Sequence, residues 1–358
     1  MTKVPVLTVE QMREVDRSMI EDYQIDLVQM MENAGRQLAL LARKLFLGGD
    51  PRGRRVLVLA GAGGNGGGGL VAARRLHCWG ARVQVVVSRP AATYKGVPAH
   101  QLAAVLRLDV PVSTLDAVDT RQSGQDRSDQ DDSRFDVVLD SIIGYGLEAE
   151  ARGPAADLIW WVQSAEAPVL SLDVPSGLDA TFGAAGEPTI QARATLTLAY
   201  PKTGLLATGA RDYVGDLYVG DIGVPPEVVA GPGLGFGPIP LFAQEEIVSL
   251  AGVTGPVASD VEISIQALLR ATGQAHHRAF ASSGGVDADW AQWYGGRACP
   301  AMEGLLGKAI GLEPFGRLLA EAADAKEREA PEIAWESFYT DFLLKRLGLP
   351  LDHAQGRD

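Results

Sequence analysis

The stretch from Val56 to Leu76, VLVLAGAGGNGGGGLVAARRL, constrains the fold more than any other part of the chain. It opens with an unbroken apolar run, which is typical of a strand buried on both faces. Glycine then dominates from Gly61 to Gly69, and apolar residues afterwards recur at helical spacing. The pattern therefore predicts a strand, a glycine loop and a helix.

This junction has the chemistry of a ligand site. Glycine reaches positive φ freely and lets a ligand approach the backbone closely. The N-terminus of the following helix offers unpaired N–H groups and a partial positive charge, which suit a phosphate. A flexible linker is the alternative, but a linker would not lie between a buried strand and an amphipathic helix. We therefore expect a ligand to bind here.

Two familiar nucleotide motifs explain this stretch poorly. Residues 61–66 satisfy G-x-G-x-x-G, but a match to this motif has little significance in so glycine-rich a loop. The acidic residue that would hold a ribose should end the next strand, where Ser88 and Arg89 stand instead. Leu70 after Gly69 excludes a Walker A loop. An NAD(P)-dependent oxidoreductase is thus a weak alternative, since the sequence also lacks an obvious catalytic His or Tyr-Lys pair.

Helix and strand patterns alternate along most of the chain. Thr8 and Asp26 are placed to cap two amphipathic helices, with a capping box from Thr8 to Gln11. Further strands are predicted at 82–87, 135–139, 169–172, 194–200 and, as the last one, 217–224, with helices at 97–106 and 154–165. The alternation predicts a parallel sheet in a three-layer α/β fold. Residues 113–134 are polar, and their second half is predicted to be a disordered surface loop.

Polar residues converge at one edge of the predicted sheet. Asn65, Asp140 and Asp173 each follow a strand at its carboxyl end, where open parallel sheets bind ligands. Asp140 could be a metal ligand, an acid/base group or a helix cap. In residues 173–179, DVPSGLD, Pro175 fixes φ, Gly177 permits a tight turn and Ser176 presents a hydroxyl group. This combination favours a binding site over a simple turn. Lys202 follows another strand, as a phosphate ligand or a solvated lysine.

Charge and cysteine content limit the partners and the compartment. The formal net charge is −13, with 45 acidic against 32 basic residues, which argues against nucleic acid or an anionic membrane as partner. The two cysteines lie far apart and form no metal or redox pattern. Apolar runs fall short of the ~18 residues of a membrane span, and the first residues lack a signal-peptide core. We expect a cytoplasmic protein.

A glycine- and proline-rich linker at 231–244 divides the chain into two predicted parts. Residues 1–230 form the α/β domain, and residues 245–358 form a small, mainly α-helical C-terminal extension of unknown role. The extension contains two W-x-x-(W/F)-Y segments, which begin at Trp290 and Trp335. We expect their aromatic side chains to pack in a core rather than bind a ligand.

Several motifs, in matching order and spacing over residues 7–230, resemble the NAD(P)H-hydrate epimerase family, also called the YjeF N-terminal domain. The glycine stretch is one of them, and the others are MREVD at 12–16, MENAG at 31–35, VLD with GYGL at 138–147, DVPSGLD at 173–179, LTLAYPKTGL at 196–205 and DIGVP at 221–225. The resemblance implies a Rossmann-like three-layer α/β/α sandwich with a mostly parallel sheet. Members are often dimeric, so a homodimer is also expected.

The resemblance implies an isomerase that interconverts the R and S forms of hydrated NADH and NADPH, so that a separate dehydratase can act on the S form. It implies a potassium ion held by Asn65, Asp140 and Ser176. Asp173 would contact the substrate and act as the acid/base catalyst. The remaining substrate contacts implied by the motifs are Gly64, Asn65, Gly66, Gly67, Gly68, Gly144, Tyr145, Gly146, Leu147, Glu148, Ala149 and Glu150.

Two positions in the glycine stretch depart from the family pattern. Where the family usually has asparagine and aspartate, this chain has Gly64 and Gly68. A catalytically weak or inactive nucleotide-binding or protein-interaction module of the same fold is therefore the alternative function. Retention of Asn65, Asp140 and Asp173 favours the enzyme.

Overall fold

The computed structural model describes residues 4–117, 135–147, 150–231, 233–237, 240–250, 261–280 and 289–349. Within these ranges one sheet is built from the strands β1 (Arg55–Ala60), β2 (Arg82–Val87), β3 (Val112–Thr114), β4 (Val137–Ser141), β5 (Val169–Leu172), β6 (Ala194–Leu198), β7 (Asp216–Gly220) and β8 (Ile247–Ser249). The strand order is β3-β2-β1-β4-β5-β6-β7-β8. Neighbouring strands are parallel except β7 and β8, which are antiparallel.

Helices cover both faces of this sheet. The α-helices in the described ranges are α1 (Val9–Glu21), α2 (Leu27–Leu45), α3 (Gly64–Cys78), α4 (Gly96–Leu106), α5 (Pro154–Gln163), α6 (Arg211–Val214), α7 (Pro226–Ala230), α8 (Val261–Phe280), α9 (Trp290–Leu306), α10 (Leu312–Glu329) and α11 (Trp335–Arg346). One face packs against α2, α3 and α4, and the other face of the central strands packs against α5. The predicted fold class, a mostly parallel three-layer α/β sandwich with a helical C-terminal region, is confirmed.

The two N-terminal helices begin where the sequence predicts. Thr8 and Gln11 form a reciprocal capping box at α1, and Asp26 forms a second one with Gln29 at α2. Each box satisfies backbone N–H groups that the first helical turn leaves without partners. The apolar faces of both helices are then buried.

The glycine stretch is not the long loop that the sequence predicts. Only residues 61–63 connect β1 to α3, and residues 64–69 form the first turns of that helix. These glycines are required by close packing: a Cβ on Gly66 would lie 1.8 Å from the Gly61 carbonyl oxygen, and one on Gly69 would lie 1.8 Å from Ser141 Oγ. On the α2 side, a Cβ on Gly35 would lie 2.4 Å from the Gly68 carbonyl oxygen. The glycines therefore let helix α3 begin between the sheet and helix α2.

The prediction that residues 217–224 form the last strand is wrong. Strand β7 ends at Gly220, and β8 adds an antiparallel edge strand after the glycine- and proline-rich segment. Strand β3 overlaps the first two residues of the polar segment 113–134, whose second half, predicted to be disordered, falls outside the described residues. The proposed division at 231–244 stays a prediction.

The C-terminal helices share a hydrophobic core with the N-terminal part of the chain. Ile265, Met302 and Phe315 are buried in one cluster with Val6 and Leu7. The aromatic residues of this region also pack together, since Tyr294 makes edge contacts with both Trp290 and Trp335. No helix in the described ranges is both long and apolar enough to cross a membrane.

Replacement of Gly66 by alanine tests the packing of helix α3. We expect Gly66→Ala to lower the free energy of unfolding by at least ~2 kcal/mol, because the new methyl group meets backbone that cannot move aside. The matched control is Gly64→Ala, whose Cβ would have only the end of Met31 nearby, at 3.7 Å. The control should change stability by less than ~1 kcal/mol, since alanine favours a helix over glycine. Equal stability of the two variants in chemical denaturation would contradict this account.

Candidate active site

A cavity of about 450 Å³ opens at the carboxyl ends of the central strands. It lies where the strand order reverses, between β1 and β4, which is the usual ligand crevice of open α/β sheets. Its wall combines apolar side chains of α1 and α2, the start of α3, and the turns that follow β4 and β5. The cavity therefore lies at the sheet edge where the sequence predicts a site.

Asp140 is the centre of a buried hydrogen-bond network beneath this cavity. Its Oδ1 accepts from Ser176 Oγ at 2.6 Å and from the Ile142 N–H at 3.2 Å. Its Oδ2 accepts from Ser171 Oγ at 2.8 Å and from the Ser176 N–H at 3.0 Å. Complete burial raises the pKa of Asp140 above its ordinary value, although the bonds from Ser176 act in the opposite direction. Four donors occupy the acceptor positions of the carboxylate, so Asp140 fixes the Ser176 turn.

Asn65 lies in the first turn of α3 and lines the cavity. Its Nδ2 donates to the Leu172 carbonyl at 3.1 Å, which orients the amide. Its Oδ1 is buried and has no hydrogen-bond partner in the described part of the chain. A buried amide oxygen without a donor is costly, and it is available to a cation.

Asp173 and Lys202 form a buried ion pair at the cavity. Lys202 Nζ donates to Asp173 Oδ1 at 2.6 Å, and Asp173 Oδ2 accepts from the Tyr145 N–H at 2.9 Å. The other two protons of Nζ go to Thr197 Oγ1 and to the Leu198 carbonyl. Lys202 is 0% exposed, so it is not a solvated lysine, and its ammonium group has no proton left for a phosphate. Asp173 also leaves β5 in a left-handed conformation, with φ 70°, which aspartate tolerates better than most residues.

Tyr145 links this pair to helix α1. Its hydroxyl group donates a hydrogen bond to the Asp16 carboxylate, and its ring lies 5.6 Å from Lys202 Nζ. Burial and the negative charge of Asp16 raise the pKa of Tyr145 above its ordinary value, so the phenol remains a donor. Burial likewise raises the pKa of Asp16.

The structure brings seven of the predicted site residues together at the central cavity, and Asp140 and Ser176 are not among the residues that line it. Those that line the cavity are Gly64, Asn65, Gly68, Gly144, Tyr145, Gly146 and Asp173. Gly66 and Gly67 are buried in helix packing, Leu147 and Glu150 line a neighbouring cavity, and Glu148 and Ala149 lie outside the described residues. Sequence reasoning missed the roles of Lys202 and Asp16, and also the apolar wall of Met12, Met30 and Met31. The only available signal was that Asp16, Met12 and Met31 belong to motifs in the first two helices.

Comparisons with known proteins identify the family. A family model described as the YjeF-related protein N-terminus matches residues 27–204. An NAD(P)H-hydrate epimerase of Dehalogenimonas lykanthroporepellens is 41% identical over 232 residues, which are 64% of this chain and 86% of the relative. This chain belongs to the NAD(P)H-hydrate epimerase family. The epimerase of Rhodopirellula baltica is 31% identical over 63% of this chain and 88% of its own length.

Some relatives in the family are longer. The bifunctional NAD(P)H-hydrate repair enzyme Nnr of Salinibacter ruber is 34% identical over 63% of this chain, and the match spans only 42% of that relative. Among solved structures, that of yeast ynu0, YNL200c, covers 69% of this chain and 100% of its own, with a TM-score of 0.57 and 24% identity. This last likeness concerns the fold alone. The epimerases that match most of their own length are isomerases, so the family is one of enzymes.

Removal of one partner of the buried ion pair should destabilise the protein more than removal of both. Asp173→Asn keeps a side chain that tolerates the left-handed backbone but leaves the Lys202 charge buried without its partner, at an expected cost of about 3 kcal/mol. Lys202→Met leaves the opposite charge unpaired, at a similar cost. The double variant should be clearly more stable than the sum of the single losses predicts, as measured by chemical denaturation. Additive losses would show that the two groups do not interact.

Proposed function

We propose that this protein is an NAD(P)H-hydrate epimerase, which interconverts the R and S forms of hydrated NADH and NADPH. The names of its relatives support this activity, and the buried Asp173–Lys202 pair is the observation that carries the chemistry. The pair lies at the wall of the central cavity, with one carboxylate oxygen bonded to Lys202 and the other to the 144–146 turn. The proton that Lys202 Nζ shares with Asp173 Oδ1 can pass through Asp173 to the substrate. The rest of the site is largely apolar.

Epimerisation then needs only the movement of water and of that proton. The ring nitrogen donates its lone pair as the C–O bond of the hydroxylated carbon breaks, and the hydroxyl group leaves as water with a proton from the Asp173–Lys202 pair. The planar iminium that results is attacked by water on either face. The pair takes back the proton that the attacking water loses, so the enzyme returns to its starting state without an oxidant or a reductant.

The apolar wall suits this reaction. Met12, Met30 and Met31 line the cavity opposite the polar residues and can pack against a nicotinamide ring. Gly64 and Gly68 also line this cavity, and at Gly64 the missing side chain leaves room beside the ring, since only Met31 lies near an added Cβ, at 3.7 Å. At Gly68 an added Cβ would lie 2.8 Å from Leu172 Cδ2, so the Leu172 side chain occupies the space next to that position.

Potassium is part of the proposal. The unpartnered Asn65 Oδ1 fits a weakly held monovalent cation, with Ser176 Oγ as a further oxygen ligand and Asp140 supplying negative charge. Among the described residues no cluster of His, Cys, Asp or Glu has the arrangement of a conventional metal site. A bound cation would supply positive charge next to the substrate and would satisfy the orphaned amide oxygen.

The reaction has a natural consumer. Because the bifunctional relatives are named as repair enzymes and extend well beyond the matched region, we propose that a separate dehydratase consumes the S form that this protein restores. We further propose that the protein acts in the cytoplasm, as a homodimer, on this small-molecule substrate alone.

Turnover of the R-form hydrate tests the proposed function. Purified protein should convert it to the S form faster than the spontaneous reaction, as followed by chromatography. Asp173→Asn should slow this conversion by roughly 100-fold or more, since general acid–base groups contribute on that order. The matched control is Asp212→Asn, which changes an exposed carboxylate on α6 and should retain full activity. Conversion by the wild type at only the spontaneous rate would instead favour the inactive nucleotide-binding or protein-interaction module.

Potassium dependence provides a separate test. Activity should rise with potassium concentration when sodium is exchanged for potassium at constant ionic strength. Asn65→Ala should raise the potassium concentration for half-maximal activity by about 10-fold or more, because changes around metal ligands cost 10–100-fold in affinity. Identical potassium curves for the two proteins would remove Asn65 from the proposed ligand set.

A further inference from the structure

A second cavity lies next to the central one and is formed between the C-terminal helices and the N-terminal part of the chain. It has a volume of about 380 Å³ and lies where α8 and α9 face helix α1 and the turn after β5. Three arginines line it: Arg13 of α1, Arg278 of α8 and Arg297 of α9. Two of the three, Arg278 and Arg297, lie C-terminal to residues 27–204, which the family model matches.

The two cavities are adjacent. Arg13 lines both of them, and Leu147, which lines the second, directly follows Gly146 of the first. Arg297 and Leu147 also line a third cavity of about 320 Å³, together with Glu150. The segment from Gly144 to Leu147 therefore leads from Asp173 towards the arginines of the C-terminal helices.

Arg297 is held in position for a ligand. Its Nη2 donates to Asp179 Oδ2 at 3.2 Å, and its guanidinium group lies 4.3 Å from the centre of the Phe182 ring. Its Nε is buried and has no hydrogen-bond partner within the described ranges. Asp179 is already committed, since its Oδ1 caps the N–H groups of Thr181 and Phe182 at 2.9 Å. Fixed guanidinium groups of this kind bind phosphate oxygens in pairs.

The remaining charges in this cavity leave it with an excess of positive charge. Arg278 is exposed and makes no hydrogen bond or ion pair with the residues that the structure describes. Among the described residues, those that bring a carboxylate to the cavity are Glu10 and Asp179, and Glu10 Oε1 accepts from Gln274 at 3.3 Å. Three guanidinium groups against two carboxylates are notable in a chain of formal net charge −13. Such a local excess attracts an anionic ligand.

The central cavity shares only Arg13 with this group of arginines. Its lining includes two cationic side chains, Lys202 and Arg13, and all three protons of the Lys202 ammonium group are used within the protein. A dinucleotide whose nicotinamide ring reaches Asp173 carries its pyrophosphate and its second nucleotide away from that ring. Its phosphates therefore need cations outside the central cavity.

We propose that Arg297 and Arg278 of the C-terminal helices, together with Arg13, bind the phosphate groups of the dinucleotide substrate. This inference rests on the proposed function, because it assigns a site to the half of the substrate that does not react. The shared chemistry is that of a phosphate, either in the pyrophosphate or at the ribose 2′ position of NADPH. The C-terminal helices thus form a wall of the substrate site.

A truncated substrate tests the inference. The R-form hydrates of NADH and NADPH are compared with the hydrate of reduced nicotinamide riboside, which carries no phosphate group. Arg297→Gln should raise KM for a dinucleotide hydrate by about 10-fold or more, since a hydrogen bond between charged groups is lost. It should leave kcat unchanged and should leave turnover of the riboside hydrate unaffected. Arg297→Lys should recover part of the affinity. The matched control is Arg317→Gln, which changes an exposed arginine on α10 and should leave KM unchanged.

The outcomes separate the inference from the proposed function. A rise in KM for both dinucleotides assigns the arginines to the pyrophosphate, and a rise for the NADPH hydrate alone assigns them to the 2′-phosphate. Equal losses on the dinucleotide and riboside hydrates, or no loss on either, would overturn the inference while wild-type turnover upholds the proposed function. If the wild type converts no hydrate, calorimetric titration with ADP still decides: binding that Arg297→Gln abolishes supports the phosphate site, and binding unchanged in that variant overturns it.

Discussion

The ion pair between Lys202 and Asp173 is the interaction on which the site depends. A lysine with 0% exposure would lose its charge or unfold the protein unless its three protons had acceptors. Those acceptors come from the ends of β5 and β6, and the same Asp173 carboxylate holds the turn at Tyr145. The backbone around Lys202 also bonds to Leu7 on both sides, so the N-terminal segment is fixed beside the pair. Satisfying one buried cation thus determines the positions of several cavity walls.

The close packing of helix α3 is the second constraint, and it shows where local sequence patterns stop being informative. The helix caps at Thr8 and Asp26, and most of the strands and helices, follow from periodicity and local hydrogen bonding, so they could be predicted. The helical state of residues 64–69 could not, because glycine disfavours a helix and the reason for it here is contact with β4 and α2. Strand β8 was missed for a similar reason: a strand of three residues has no period to detect.

The candidate site was predictable to the extent that it follows from topology. Parallel strands end at one edge, so Asn65, Asp140 and Asp173 had to lie near one another once the strands were recognised. The chemical environment of each side chain depends on residues far away in the chain. Lys202 could not be distinguished from a solvated lysine without knowledge of its partner 29 residues away, and the Tyr145–Asp16 bond spans 129 residues.

The C-terminal helices pack closely against the backbone that positions the Lys202–Asp173 ion pair. A Cβ on Gly304 of α9 would lie 2.0 Å from the Leu206 carbonyl oxygen, in the 3₁₀ turn that directly follows Lys202. Ser264 of α8 donates to the Val6 carbonyl at 3.0 Å, next to the segment that flanks Lys202 on its other side. Both elements that carry the cavity arginines are therefore held against the backbone that positions the ion pair. Under the proposed substrate assignment, the arginines that bind the outer half of the substrate are thereby held at a fixed distance from Asp173.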